Sequence, residues 1–218
     1  MRKYVDREEA GRALANSIGA VDGNLIVLGM PRGGVPVAAE VAKAMGAPLD
    51  VLVVRKLGVP GREELAMGAV AARGVRVLNH ALIQTLGISP VTIDAVTTLE
   101  RRIVERREKH FRQAMPPLDL KGRTVILVDD GVATGASARA ALQVVRASGA
   151  GKVIFAAPVG PADVIDSLDR EADRVVVPYQ PDPFRAVGAW YENFEEVSEG
   201  TVRRMLDAAR ARKEPAEV

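Results

Sequence analysis

The stretch VILVDDGVATGAS, residues 125–137, decides the fold. Val125 to Val128 read as a short buried strand. Two adjacent acids follow, Asp129 and Asp130, and then a small-residue turn from Gly131 to Ser137. The next residues, ASARAALQVVRASG, have the pattern of a helix. A turn at a helix start attracts anions, because backbone N–H groups point outward and the helix dipole favours negative charge there. Ionised carboxylates only accept hydrogen bonds. Two of them beside such a turn would repel an anion unless hydroxyl donors or a divalent cation lie between. A sugar phosphate satisfies both halves: the phosphate takes the turn, and vicinal hydroxyls donate to Asp129 and Asp130.

Working outward, NLIVLGM reads as a buried strand at 25–29, PRGG as a turn, and VPVAAEVAKAMG as a helix ending at Gly46. LDVLVVRK reads as a second strand at 49–55. Strand, helix and strand over about 30 residues form a βαβ unit with a parallel pair. The pattern recurs after residue 137 with GKVIFAAPV as strand, PADVIDSLDREA as helix and DRVVVP as strand. The fold class is therefore α/β: one domain over 1–218 with an open, mostly parallel sheet flanked by helices. Ligands of such sheets bind beyond the carboxyl ends of the strands. PRGG, RK and DDGVATGAS are all expected there.

An insertion, 58–120, separates the two halves. GVPGREELAMGAVAARGVRVLN suggests a mobile loop or small hairpin. A long helix follows, with Ser89 as N-cap, Pro90 in the first turn, and Ile93, Val96, Leu99 and Ile103 as a narrow apolar stripe. Its other positions are Arg- and Glu-rich, with i,i+4 pairs Arg101–Glu105, Glu105–Lys109 and Glu108–Arg112. A solvated helix is the expectation; a basic edge meeting a phosphorylated ligand or RNA is the sharper alternative. Near the start, Asp6 is expected to cap a first helix, with Glu9 as its capping-box partner. The segment 178–218 is read as a C-terminal hood. It holds Tyr179, Phe184, Trp190, Tyr191 and Phe194, five of the eight aromatics in the chain. They either pack as a lid or offer a platform to a planar ring. A last helix is expected over about 199–212, with a frayed tail at 213–218.

Composition narrows the function. The chain has no cysteine, which excludes disulfides, thiol catalysis and zinc fingers and suits a reducing, cytoplasmic compartment. His80 and His110 are the only histidines, too few for a histidine-rich metal centre. MRKYVDREEAG has no apolar core of a signal peptide, and no run approaches the ~18 apolar residues of a membrane span. A net charge of +2 is too mild to imply nucleic acid by itself. There is no G-x-x-x-x-G-K-[ST] and no G-x-G-x-x-G after a strand, so neither a Walker loop nor a dinucleotide fingerprint is present.

VILVDDGVATGAS resembles the phosphoribosyl-pyrophosphate (PRPP) motif of type I phosphoribosyltransferases. GMPRGG resembles that family's pyrophosphate loop, and VVRKLG its basic strand end. More narrowly, LGMPRGGVPVA, VRKLGVPG, VDDGVATGAS and FRAVGAWY are similar to those of a bacterial group of phosphoribosyltransferase-domain proteins. The resemblance implies that Asp129 and Asp130 bind the ribose hydroxyls. It implies that Val132, Ala133, Thr134, Gly135, Ala136 and Ser137 hold the 5-phosphate. Arg32, Gly33 and Gly34 would hold the pyrophosphate, in a loop where family members often have a non-proline cis peptide. Arg55 and Lys56 would offset its charge, with Lys56 the one reaching the ligand. Arg62, Glu63 or Glu64 would close over the site, Glu64 foremost; Trp190 is the substrate-binding candidate of the reading in which the C-terminal aromatics offer a platform to a planar ring. The implied reaction displaces pyrophosphate from C1 of the ribose with a nitrogen nucleophile. Mg²⁺ would be carried mainly by PRPP or pyrophosphate oxygens, with no protein-only metal cage. A homodimer is the family expectation. One departure matters: hypoxanthine–guanine members carry a third acid where this chain has Ala133, which weakens an oxopurine assignment.

Two other readings compete. One is a PRPP- or nucleotide-sensing protein with little turnover, possibly binding nucleic acid through the Arg-rich helix 101–112. The other is a hydrolase of phosphorylated sugars using the Asp pair, disfavoured because there is no D-x-D arrangement.

Overall fold

The computed structural model describes residues 3–113 and 115–212; the expected frayed tail, 213–218, lies outside them. Five strands form a parallel sheet in the order β2–β1–β6–β7–β8: β1 Leu25–Gly29, β2 Leu49–Val51, β6 Thr124–Val128, β7 Lys152–Ala156 and β8 Arg174–Val176. Both faces are buried, as an all-parallel sheet requires. Val27, Ile126, Val128 and Ile154 pack with Leu14, Ile18, Val41 and Leu206 on one side. Ile26, Leu28, Val125, Leu127 and Phe155 pack with Ala141, Leu142 and Leu168 on the other. The first face is covered by α1 Arg7–Ile18, α2 Gly34–Met45 and α7 Glu199–Ala211, the second by α5 Ala136–Ala147 and α6 Ala162–Leu168. β1 runs in register with both β2 and β6, so the chain order reverses across β1. The crevice at such a point is where open α/β sheets bind ligands.

The caps behave largely as the sequence suggests. Asp6 accepts from the Glu9 N–H at 2.8 Å. The Glu9 carboxylate reaches the Val5 N–H, one residue before the usual capping-box partner. α2 ends on Gly46 in the left-handed region. Ser89 caps α4, Pro90–Arg112, through the Thr92 N–H at 3.2 Å. Ser89→Ala is therefore expected to lower stability by about 1 kcal/mol, measurable by urea denaturation.

Several expectations need correction. The strand read at 49–55 stops at Val51. Val54–Val59 is a separate strand, β3, which forms an antiparallel sheet with β4 Arg62–Ala71 and β5 Arg76–Leu78. An unbroken apolar run hides this break, because Leu52 and Val53 are buried on either side of the change of sheet. RK consequently lies on the second sheet, not at a carboxyl end of the first. The expected loop or hairpin is this β3–β4 hairpin, packed on α4 and α5 and followed by β5 and then α3, His80–Leu86.

The stripe on α4 is also offset. Ile93, Thr97, Val104 and Phe111 are buried, whereas Leu99 is 60% exposed. Of the three i,i+4 pairs, Glu108–Arg112 forms at 3.1 Å, while Arg101–Glu105 and Glu105–Lys109 are not found among the described residues. The helix is not simply solvated. Buried Arg112 grips both oxygens of buried Asp50 on β2 at 2.9–3.2 Å and donates to the Pro116 carbonyl. That pair ties the end of the insertion helix to the parallel sheet, a long-range contact no helical periodicity reveals.

Candidate functional site

β6 delivers Asp129 and Asp130 to the crevice beside β1. The Asp129 N–H still donates to the Ala156 carbonyl at 3.2 Å, and the Met30 N–H to Val128 at 2.8 Å, so both strand ends are fixed by extended ladders. The chain after β1 turns through Pro31–Gly33, where the Pro31–Arg32 peptide is cis, and enters α2 at Gly34. This turn lies against the acids. A Cβ at Gly33 would overlap Oδ2 of Asp130, and one at Gly34 would come within 2.6 Å of the Val128 carbonyl and 2.8 Å of Asp129 Cα. Only glycine permits that approach. The expected pyrophosphate loop and the paired acids are thus one surface.

Each carboxylate has one oxygen engaged. Asp129 Oδ1 accepts from the Asp130 N–H at 2.9 Å, and Asp130 Oδ2 accepts from Arg7 Nε at 2.8 Å. The second oxygen of each has no donor from another described residue. One acceptor oxygen on each acid therefore remains without a donor among the described residues. Burial, then the charge of Asp130, pushes the Asp129 carboxyl well above the usual carboxylate range. Burial raises Asp130 as well, with Arg7 pulling it back.

The turn after the acids is only partly available. Val132 is a correction: its side chain is buried and its N–H donates to the Val159 carbonyl at 2.9 Å, so it walls the turn instead of facing a phosphate. Ala133, Thr134 and Ser137 are exposed, while Gly135 takes φ 72° to let α5 start at Ala136. The N–H groups of that first turn have no intrahelical acceptors. Arg139 braces the turn from behind, donating to the Thr134 carbonyl at 2.7 Å and to Ser167 at 3.0 Å.

The basic residues are dispersed. Arg32 is paired with Glu196 of the C-terminal segment, both side chains exposed. Arg55 donates to Glu100 on α4 at 2.6 Å, and Lys56 to Glu64 near the hairpin tip at 3.1 Å. Glu64 is almost fully exposed. No described contact joins Lys56 or Glu64 to the acids. Trp190 lies edge-on to Tyr179, ring centroids 5.1 Å apart, within a cluster that includes Tyr4, Phe184 and Tyr191.

Sequence reasoning missed Arg7 and the part played by Tyr191. Arg7 reads as one more charge in a helical pattern, and its partner lies 123 positions away. Tyr191 is buried and its hydroxyl donates to the Asp130 carbonyl at 2.5 Å. Its aromatic-rich context marks a packed segment, without saying upon what.

A family model for the phosphoribosyl transferase domain matches residues 7–182. The chain belongs to this family. Two Mycobacterium tuberculosis proteins, "Putative phosphoribosyl transferase Rv0571c" and its counterpart MT0597 in a second strain, are each 48% identical over 210 residues. The match takes in 96% of this chain and 47% of theirs, so the chain spans about half the length of these curated relatives. Among solved structures, TT1426 from Thermus thermophilus is 40% identical with a TM-score of 0.88, covering 94% of this chain and 98% of that one. The phosphoribosyl transferase match begins at Arg7 and holds both glycine-pressed turns. It stops before Tyr191, so the residue that fixes the Asp130 carbonyl comes from outside the matched span.

Proposed function

We propose that this phosphoribosyltransferase-family chain binds PRPP and transfers its phosphoribosyl group to a nitrogenous base or related acceptor, releasing pyrophosphate. The observation that carries the reading is the contact of Gly33 and Gly34 with Asp130 and Asp129, beside the open first turn of α5. One PRPP molecule spans these features. Its ribose hydroxyls donate to the two open carboxylate oxygens. Its 5-phosphate takes the N–H groups of Thr134 to Ser137, with the Thr134 and Ser137 hydroxyls adding bonds. Its pyrophosphate lies along Arg32–Gly34, where Arg32 exchanges Glu196 for the ligand. Exposed ion pairs are worth only about 0–1 kcal/mol, so that exchange is easy. Stabilising the leaving group and excluding water are what such donors can contribute to an oxocarbenium-like transition state. In this reading Lys56, Arg55 and Glu64 act, if the hairpin closes, from the β3–β4 sheet, and Trp190 lies on the acceptor side.

Among the described residues no three acids or histidines come together to hold a metal. In this reading the ion is carried by the ligand, and the carboxylates act on hydroxyls. Mg²⁺ bound in this way would neutralise charge developing on the pyrophosphate. Ala133 leaves the phosphate turn without a third acid, and adenine, orotate and amide-nitrogen acceptors suit that better than oxopurines. We carry a homodimer with this proposal, measurable by sedimentation.

A panel of bases incubated with PRPP and Mg²⁺, read by pyrophosphate release, tests the proposal. Turnover is expected with at least one nitrogenous acceptor. Tight PRPP binding without release for any acceptor would replace transfer with sensing.

A further inference from the structure

We infer that Arg7 is the positioning residue of the ribose site, and that the C-terminal hood holds Arg7 in place to do it. The inference rests on the PRPP reading above and concerns how Asp130 is presented to the ribose.

The geometry is closed on every side. The Arg7 and Asp130 side chains are 12% and 15% exposed, and Nε lies 2.8 Å from Oδ2. Nη1 of the same guanidinium donates to the Glu195 carbonyl at 2.8 Å. Its Cζ stands 3.9 Å from the centre of the Phe194 ring and 5.9 Å from that of Tyr191. The Tyr191 hydroxyl in turn holds the Asp130 main chain. Oδ2 thus lies between Arg7 and the Gly33 backbone, and the other oxygen is the one left for a hydroxyl donor. α1, the PRPP motif, the PRGG turn and the hood all meet at this one carboxylate.

An arginine suits the position and a lysine does not. The planar fork donates in two directions while its face stacks on an aromatic ring. A lysine ammonium could keep the charge but not the Glu195 and Phe194 contacts together.

The charges facing Asp130 can be named. Asp129 stands beside it in its own turn, Arg7 comes from α1, and Tyr191 from the hood. Tyr4 lies beyond Tyr191, with Glu9 and Tyr179 near Tyr4. Burial, and after it the charge of Asp130, pushes the Tyr191 hydroxyl up, so it stays a neutral donor. Arg7 is therefore the cation that opposes the burial of Asp130. Without it, two buried adjacent carboxyls share a proton more readily, and a protonated carboxyl offers a donor where a ribose hydroxyl needs an acceptor.

The test is ribose 5-phosphate binding, measured by calorimetry across pH without metal, for wild type, Arg7→Gln and Arg7→Lys. Arg7→Gln is expected to bind roughly tenfold more weakly at neutral pH, the scale of a lost hydrogen bond to a charged group. Its acid limb is expected at higher pH than that of wild type, because Asp130 must be ionised to accept. The ligand phosphate, with a second pKa of about 6, titrates identically in each experiment and cancels between proteins. Arg7→Lys is expected to keep the limb near wild type while binding more weakly. A folded Arg7→Gln protein whose affinity and limb coincide with wild type overturns the inference. If Arg7→Gln does not fold, Arg7→Lys decides: unchanged affinity overturns it, and weakened binding with a folded protein supports it. Failure of wild type itself to bind ribose 5-phosphate would remove the PRPP reading, and this inference with it.

Discussion

Gly34→Ala is expected to lower the melting temperature by roughly 5–10 °C, whereas Gly33→Ala is expected to leave the fold largely in place and weaken ribose 5-phosphate binding roughly ten- to a hundredfold. The two adjacent glycines differ in what a methyl group would strike. At Gly34 it meets the Val128 carbonyl and Asp129 Cα, which are backbone at the end of a central strand. The ladder from Met30 to Val128 holds that backbone and leaves nowhere for it to go. Overpacking of this kind costs about 2–3 kcal/mol. At Gly33 the methyl meets the Asp130 carboxylate, a side chain that can rotate. Rotation relieves the clash but breaks the Arg7 contact and misplaces an acceptor. Losing a hydrogen bond to a charged acceptor costs about 1.5–3 kcal/mol, roughly ten- to a hundredfold in affinity. Thermal melts and calorimetry on both variants separate the outcomes. Equal loss of stability in the two would show that the turn packs uniformly and that Asp130 is not free to move.

The second large effect joins stability and binding with opposite signs. Asp129→Asn is expected to stabilise the chain by about 0.5–2 kcal/mol at neutral pH while weakening ribose 5-phosphate binding roughly ten- to a hundredfold. The Asp129 carboxyl is raised in the folded state by burial and by its neighbour's charge. A raised carboxyl contributes stability that is fully present below its unfolded pKa and is lost as pH rises through the folded value. At neutral pH, where the unfolded carboxyl is ionised, burying this group therefore costs the folded protein stability, and asparagine avoids that cost. The stability difference between variant and wild type should grow as pH rises through the acid-to-neutral window, and urea midpoints along that window would show it. A variant less stable than wild type at neutral pH would mean that the carboxylate is held by interactions stronger than its desolvation. In the proposed reading the carboxylate that destabilises the fold is also the one that accepts a ribose hydroxyl, a trade common where a site needs a buried ion.

Much of the parallel sheet and of the site's outline is written locally. Val125–Val128 and Leu25–Gly29 are apolar because both sheet faces are covered, and the acids and glycines after them are legible because turn chemistry acts over a few residues. The insertion is harder to read. The run from Val51 to Val54 is apolar throughout, and nothing in it marks where the chain leaves one sheet for another. The helix 90–112 has a period but no phase for its partner: Thr97 is buried and Leu99 exposed because the surface it meets is built by β3, β4 and Asp50. Periodicity reports a face; the partner decides which face it is.

The sequence by itself determined the α/β class, the two glycine-bearing turns, the acid pair and the anion-seeking start of α5, since each depends on residues close together in the chain. Only the tertiary structure decided that Val132 turns its N–H to Val159, that Arg55 and Lys56 stand on a second sheet, and that Arg7, Phe194 and Tyr191 converge on Asp130. The reason is separation. A charge in the first helix has no local property that names a carboxylate 123 residues later. That pairing exists because α1, β6 and the hood are brought to one end of one sheet, where burial makes an unpartnered charge costly and selects the cation that is close enough to answer it.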